Sequence, residues 1–168
     1  RRKRCPSRSF YPGRRGRRNL VLFQWRDAKM TKIIEMLRAH EGVETHAYKC
    51  TADKITIGVG RNIDPAGGIG LEDHEIDYLL TNDVARVVTE LNNSFDWFFY
   101  LNQARKDAMV DMCFNLGLPR LKQFKNALAA MENEDYELAA EEFFNSRWAK
   151  QVGNRAHTVT EIISSGEY

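Results

Sequence analysis

The feature that most limits the possible folds is a helical pattern of more than twenty residues near the middle of the chain. From Leu71 to about Asn93, apolar side chains recur every three or four residues and form one stripe: Ile76, Leu79, Leu80, Val84, Val87, Val88 and Leu91. The acidic start of this segment, "EDHEID", suits the positive end of a helix dipole. A helix of this length can connect two lobes, and a chain of 168 residues is long enough to supply both.

The segments before and after this helix carry different patterns. Before it, Thr31 is predicted to cap a short helix that runs to about His40. The stretch "AYKCTADKITIGVGRNI" that follows alternates like a hairpin around the polar turn "TADK". After it, helices are predicted near 102–116, 121–132, 135–145 and 154–164, with breaks at Gly117, Pro119 and Asn133.

These patterns predict a mostly helical α+β fold with two lobes. A small lobe containing the hairpin would span about 30–70, the connecting helix about 71–93, and an all-helical lobe about 94–168.

Charge is distributed unevenly along the chain. Residues 1–29 hold 11 Lys and Arg against one acid, a net charge of +10, whereas the other 139 residues carry a net charge of −8. The first segment also lacks regular periodicity, so we predict a poorly ordered basic leader. It is either a cationic arm for anionic lipid, lipopolysaccharide or nucleic acid, or sequence upstream of a natural start at Met30. The acidic body shows no basic patch, so no nucleic acid partner is expected.

Other features exclude several classes of protein. No apolar run approaches the ~20 residues of a membrane-spanning helix, so stable membrane insertion is not expected. "HEGVE" has Glu44 where a zinc-binding HExxH motif needs its second histidine, and we expect no metal or cofactor. Three distant cysteines, Cys5, Cys50 and Cys113, do not form a disulfide framework, and Cys113 is predicted to be a buried structural thiol.

Glu41 is the first candidate for chemistry. It continues the stripe of Ile33, Ile34 and Leu37 at the end of the first helix, a face expected to be buried. The negative end of the helix dipole and desolvation both favour the protonated carboxyl, as a general acid requires. The alternative is an exposed glutamate on a frayed last turn.

The spacing of Glu41, eight residues, Cys50, five residues and Thr56 resembles the active-site signature of phage T4-type lysozymes. In that family a glutamate, an aspartate or cysteine, and a threonine stand at this spacing. "EMLRAHEG", "MVDMCFNLG" and the SRW…NRA segment are similar to further family motifs, and the resemblance covers about residues 31–165.

The resemblance implies a lysozyme-like two-lobed fold and an endolysin that hydrolyses the β-1,4 bond between N-acetylmuramic acid and N-acetylglucosamine in peptidoglycan. Glu41 would protonate the glycosidic oxygen, Cys50 would help a water to attack, and Thr56 would position that water. A monomer without cofactor is implied. It would accumulate in the host cytoplasm and reach the wall in the periplasm after holin-type release.

Further site residues follow from the same resemblance. Arg155 matches the arginine that pairs with the catalytic glutamate, and Arg61 replaces a cleft histidine of the family. Positions that match glycan-contacting or cleft-lining residues are Asn62, Phe114, Ala127 and Glu142.

The role of Cys50 stays open between a thiolate base, a polarisable wall beside the transition state, and a partner of Thr56 in orienting water. An ordinary thiol is mostly protonated near neutral pH, which makes it a poor base there. Two alternatives to a muramidase also stay open. One is a non-catalytic peptidoglycan-binding relative, and the other is a cysteine hydrolase with Cys50 as nucleophile and His46 or His157 as base.

Overall fold

The computed structural model describes residues 28–168, with the backbone alone for residues 28–31. The predicted basic leader, apart from its last two positions, and Cys5 therefore lie outside the described residues. Contacts within the chain define two compact units, one that ends at Asp73 and one that spans His74–Tyr168. No described helix combines the length and the apolar character needed to cross a membrane.

The described residues of the first unit form one helix and a small antiparallel sheet. The helix α1 is Ala28–Glu41, and the strands are β1 Glu44–Lys49, β2 Ile55–Gly58 and β3 Arg61–Asn62, in the order β1-β2-β3. The helix ends where predicted because Gly42 adopts a φ of 72° and donates its N–H to the Arg38 carbonyl over 3.0 Å. It begins earlier than predicted, at Ala28, so the expected start at Thr31 is wrong.

The apolar face of α1 is largely exposed. Ile33, Ile34 and Leu37 are 41%, 47% and 44% exposed, so the prediction that this face is buried is wrong. The physical reason is that the main hydrophobic cluster consists of residues of the second unit, and α1 contributes none of its members. Periodicity shows that a helix is amphipathic, but it does not show whether anything covers the apolar face.

The hairpin of β1 and β2 turns at residues 51–54, as predicted. Its register places Tyr48 opposite Thr56 and Lys49 opposite Ile55. Asp53 takes the left-handed φ of 58° that aspartate tolerates in turns. On β2 the buried side chain is Thr56, with 0% exposure, whereas Ile55 is 37% exposed. The buried face of this strand therefore carries a hydroxyl at its centre.

The long helix predicted in the middle of the chain is α2, Asp73–Asn92. Its apolar stripe is buried only near the C-terminal end, at Val87 and Leu91. Ile76, Leu79 and Leu80, near the N-terminal end, are each about half exposed. That this helix connects two lobes stays a prediction.

Seven further helices complete the second unit. They are the 3-10 helix Asp96–Tyr100, α3 Gln103–Leu116, α4 Leu118–Leu121, α5 Lys125–Glu132, α6 Tyr136–Phe144, α7 Arg147–Val152 and α8 Asn154–Ser165. The four helices predicted here correspond to α3, α5, α6 and α8, and the predicted breaks are confirmed. Gly117 and Asn133 cap the C-termini of α3 and α5, and Pro119 lies in the first turn of α4.

The 3-10 helix, α4 and α7 were not predicted because each has six residues or fewer, too short for a periodic pattern. Together with the three-stranded sheet, these helices confirm the mostly helical α+β class.

The core of the second unit is continuous from Val87 to Ile163. Trp148 on α7 is 3% exposed, and its indole N–H donates to the Asn115 side-chain oxygen on α3 over 2.9 Å. Cys113 is free and 1% exposed, as predicted for a structural thiol. Burial raises the pKa of this thiol.

Candidate active site

Glu41 is the last residue of α1. Its side chain is partly buried, and the last helical turn also holds Arg38 and His40. A carboxyl at the end of a helix, next to a glycine turn, is held on a rigid element and still has an open side. This placement suits a group that must give a proton to a bound substrate.

Cys50 and Thr56, predicted as catalytic partners, meet at one backbone carbonyl. Cys50 follows β1, and its backbone N–H donates to the Lys54 carbonyl oxygen over 3.0 Å. The Thr56 hydroxyl on β2 donates to the same oxygen over 3.2 Å. Because this bond takes its proton, the hydroxyl of Thr56 can only accept a further hydrogen bond.

The sulfur of Cys50 is disulfide-bonded. The residue itself is 3% exposed. A disulfide sulfur carries no ionisable proton, so acid–base chemistry at Cys50 requires the reduced form of the protein. This bond was not predicted, because the spacing of cysteines in a sequence does not determine their pairing.

Two other residues considered in the first unit lie on β3. Asn62 pairs with Thr56 across the sheet, and its side-chain oxygen accepts the Asp64 N–H over 2.9 Å. Arg61 donates from Nε to the Gly70 carbonyl over 2.7 Å. The sheet thus brings Thr56 and Asn62 onto neighbouring strands.

Phe114 and Arg155 share a cavity of the second unit. This cavity measures about 330 Å³, and its other lining residues are Leu80, Val84, Asp107, Val110 and Asp111. Phe114 is 45% exposed and lines the cavity instead of joining the core. Arg155 is held by the Asp111 carboxylate, with Nε to Oδ1 at 2.9 Å and a second nitrogen to Oδ2 at 3.0 Å. The predicted pairing of Arg155 with Glu41 stays a prediction.

Ala127 and Glu142 share a smaller cavity of about 180 Å³ in the same unit. Ala127 is 2% exposed, and the amide of Asn126 donates to the Glu142 carboxylate over 3.3 Å. The four predicted residues of the second unit therefore form two pairs: an aromatic ring with an arginine, and an alanine with a glutamate.

Three further residues organise these sites and were not predicted from the sequence: Lys54, Asp64 and Asp111. Asp111 lies one turn before Phe114 on α3, so helical spacing alone would have placed both on one face. The contacts of Lys54 and Asp64 join different parts of the chain, and no local pattern marks them.

The phage lysozyme family model matches residues 38–161, a range that includes Glu41, Cys50, Thr56 and Arg155. A Dictyostelium discoideum protein named "Probable T4-type lysozyme 1" is 28% identical over 163 residues, covering 82% of this chain and 96% of the relative. An endolysin of Acyrthosiphon pisum secondary endosymbiont phage 1 is 27% identical, covering 74% of this chain and 83% of the relative. A SAR-endolysin of Haemophilus phage HP1 is 31% identical, covering 55% of this chain and 50% of the relative.

The family model covers well over half of the chain, and the helices and the small sheet agree with the fold that the sequence predicts for it. The chain therefore belongs to the phage lysozyme family and is a lysozyme hydrolase.

Proposed function

We propose that this lysozyme is an endolysin that cleaves the β-1,4 bond between N-acetylmuramic acid and N-acetylglucosamine in peptidoglycan. The observation that carries the proposal is the family match over residues 38–161, which contains Glu41, Cys50 and Thr56 at the family's catalytic spacing. Relatives named endolysin and T4-type lysozyme support the same substrate.

In this mechanism Glu41 is the general acid. Its carboxyl gives a proton to the glycosidic oxygen as the bond to the sugar carbon breaks, and positive charge develops on the sugar ring. The end of α1 holds this carboxyl in place, and its partial burial limits competition from bulk water. The attacking water loses its proton on the opposite face of the sugar, to a base there or to solvent, and the carboxylate of Glu41 regains a proton from solvent.

Thr56 positions the attacking water. Since its hydroxyl proton is bound by the Lys54 carbonyl, the oxygen of Thr56 is left as an acceptor for the water, which has to displace the atoms that cover this fully buried residue. Attack on the opposite face of the sugar would invert the anomeric configuration, provided that a water separates the two catalytic groups.

Cys50 takes the place that an aspartate has in other members of the family. In the reduced protein its thiol acts beside Thr56, either as a thiolate base, as a polarisable wall for the cationic transition state, or by orienting the water. Each of these roles tolerates an aspartate at this position, whereas the disulfide form supports none that needs a thiolate.

The remaining predicted residues would bind the glycan. Phe114 offers an exposed ring to the apolar face of a sugar, and Glu142 with Asn126 offers an acceptor and a donor for hydroxyl or acetamido groups. Asn62 would contact the glycan from β3, Ala127 would line its site, and Arg155 would support the carboxylate of Glu41. The protein would act as a monomer on the wall in the periplasm, after holin-type release from the host cytoplasm.

The test is the release of reducing sugar ends from purified peptidoglycan, with and without reductant. Glu41→Gln removes the transferable proton, and Glu35→Gln is the matched control because Glu35 is an exposed glutamate on the same helix. We expect new reducing ends from the parent and from Glu35→Gln, and none from Glu41→Gln.

Other results would point to the alternatives. Wall binding without new ends under both redox conditions would indicate a non-catalytic relative. New amino groups in place of reducing ends would indicate a cysteine hydrolase that uses Cys50.

A further inference from the structure

The segment 62–70, here called the 62–70 loop, is bound to the hairpin through the Asp64 carboxylate. One oxygen of Asp64 accepts the Ile55 N–H over 3.1 Å, and the other accepts the Ala66 N–H over 2.9 Å. The ammonium of Lys54 lies 3.5 Å from the carboxylate and donates to the Ala66 carbonyl over 3.1 Å. The N–H groups of Ile55 and Ala66, together with Lys54, lower the pKa of Asp64, so the charged form is present near neutral pH.

Hydrogen bonds within the 62–70 loop hold the backbone of Asp64 in place. The Gly68 N–H donates to the Asp64 carbonyl over 2.7 Å, and the Ile69 N–H donates to the Asn62 carbonyl over 2.9 Å. A β-carbon at Gly68 would lie 2.5 Å from the Asp64 backbone nitrogen, so only glycine allows this close approach. The side chain of Asp64 is 13% exposed.

Asp64 therefore holds the Lys54–Ile55 peptide group, which in turn binds Cys50 and Thr56. The Lys54 carbonyl accepts hydrogen bonds from both the Cys50 N–H and the Thr56 hydroxyl. Asp64 binds the side chain of Lys54 and the N–H of Ile55, and that N–H belongs to the same peptide group as the Lys54 carbonyl. A carboxylate nine residues away in sequence thus helps to hold this peptide group in place.

We propose that Asp64 is a positioning residue of the lysozyme reaction, because it fixes the Lys54–Ile55 peptide group whose carbonyl aligns Cys50 and Thr56. This inference rests on the proposed function, since it requires that Thr56 act in the reaction. Asp64 itself needs no contact with the glycan.

The first experiment compares Asp64→Asn with Asp53→Asn. An asparagine keeps the size of the side chain but offers one acceptor oxygen, so it cannot bind the Ile55 and Ala66 N–H groups together, and it loses the attraction to Lys54. Asp53 is the matched control because it lies in the same hairpin, is 80% exposed and pairs only with Lys49 among the ion pairs described. We expect Asp64→Asn to lower kcat about tenfold with KM within twofold, and Asp53→Asn to leave both within twofold.

The second experiment asks whether the effect passes through Thr56. In a Thr56→Val background the aligned hydroxyl is already absent, so Asp64→Asn should then lower kcat by less than about threefold. An equal tenfold loss in both backgrounds would overturn the inference, because Asp64 would then act independently of Thr56.

Hydrogen exchange separates this inference from the proposed function. The Ile55 amide should exchange at least about tenfold faster in Asp64→Asn than in the parent, and unchanged exchange would overturn the contact on which the inference rests. If Glu41→Gln is inactive while Asp64→Asn keeps full kcat, the positioning role fails and the muramidase stands. If the parent releases no reducing ends, the proposed function fails and the positioning role fails with it.

Discussion

Thr56→Val should separate catalysis from stability in this lysozyme. Thr56 is fully buried, and valine has nearly the same volume, so the change removes one hydrogen bond without opening a cavity. The Lys54 carbonyl keeps its bond from the Cys50 N–H over 3.0 Å, so no buried acceptor is left without a partner. The expected cost is about 1 kcal/mol of unfolding free energy, a decrease of about 2–4 °C in Tm.

The expected loss of activity is much larger than this cost explains. A domain with about 5–15 kcal/mol of stability remains almost fully folded after losing about 1 kcal/mol. If Thr56 positions the attacking water, its removal should lower kcat about 100-fold, which corresponds to about 2.7 kcal/mol of activation free energy. Release of reducing ends from purified peptidoglycan at 25 °C measures the loss, and thermal unfolding measures the stability.

Thr56→Ser is the matched control. It keeps the hydroxyl but loses one buried methyl group, for a similar cost of about 1 kcal/mol. We expect the serine variant to retain kcat within about threefold. If the valine variant also stayed within threefold, or if both variants lost activity equally, the role assigned to the hydroxyl would be wrong.

Three further predictions concern cysteine chemistry and a surface ion pair. Cys50→Asp should release reducing ends equally with and without dithiothreitol, whereas the parent should gain activity on reduction; a folded but inactive aspartate variant would contradict this. Cys113 should react with iodoacetamide at least about 100-fold more slowly in the native protein than in urea, because burial raises the pKa of its thiol and blocks access of the reagent. Peptide mapping measures the labelling, and fast labelling of the native protein would contradict this prediction. Asp111→Asn should lower stability by only about 0.5 kcal/mol, less at high salt, because Asp111 and Arg155 are each about 40% exposed; a drop of more than about 5 °C in Tm would refute it.

Local sequence patterns predicted the parts of the fold that local forces determine. The repeat in α2, the helix near 102–116 and the breaks at Gly117 and Asn133 depend on interactions within a few residues, and the structure has each of them. The exposure of Ile33 and Leu37 could not be predicted in the same way, since burial depends on what covers a face.

In the candidate site, too, local features could be predicted from the sequence and long-range contacts could not. The spacing of Glu41, Cys50 and Thr56 is a local signal, and the structure places the last two on one hairpin. The bond from Asp64 to the Ile55 N–H crosses nine residues, and the pairing of Arg155 with Asp111 crosses 44. Contacts of this kind depend on loop conformation and helix packing, which a single sequence does not reveal.

The concentration of apolar burial in the second unit bears on how this enzyme can evolve. Among the described residues, every buried apolar side chain except Cys50 lies between Val87 and Ile163. The hairpin that carries Thr56 is instead held by directional bonds from a few polar groups, chiefly Lys54 and Asp64. Substitutions on the exposed positions of the hairpin should therefore alter substrate preference at little cost to the thermal stability of the helical unit. Such a division lets selection adapt a lysozyme to a new cell wall without first having to repack its core.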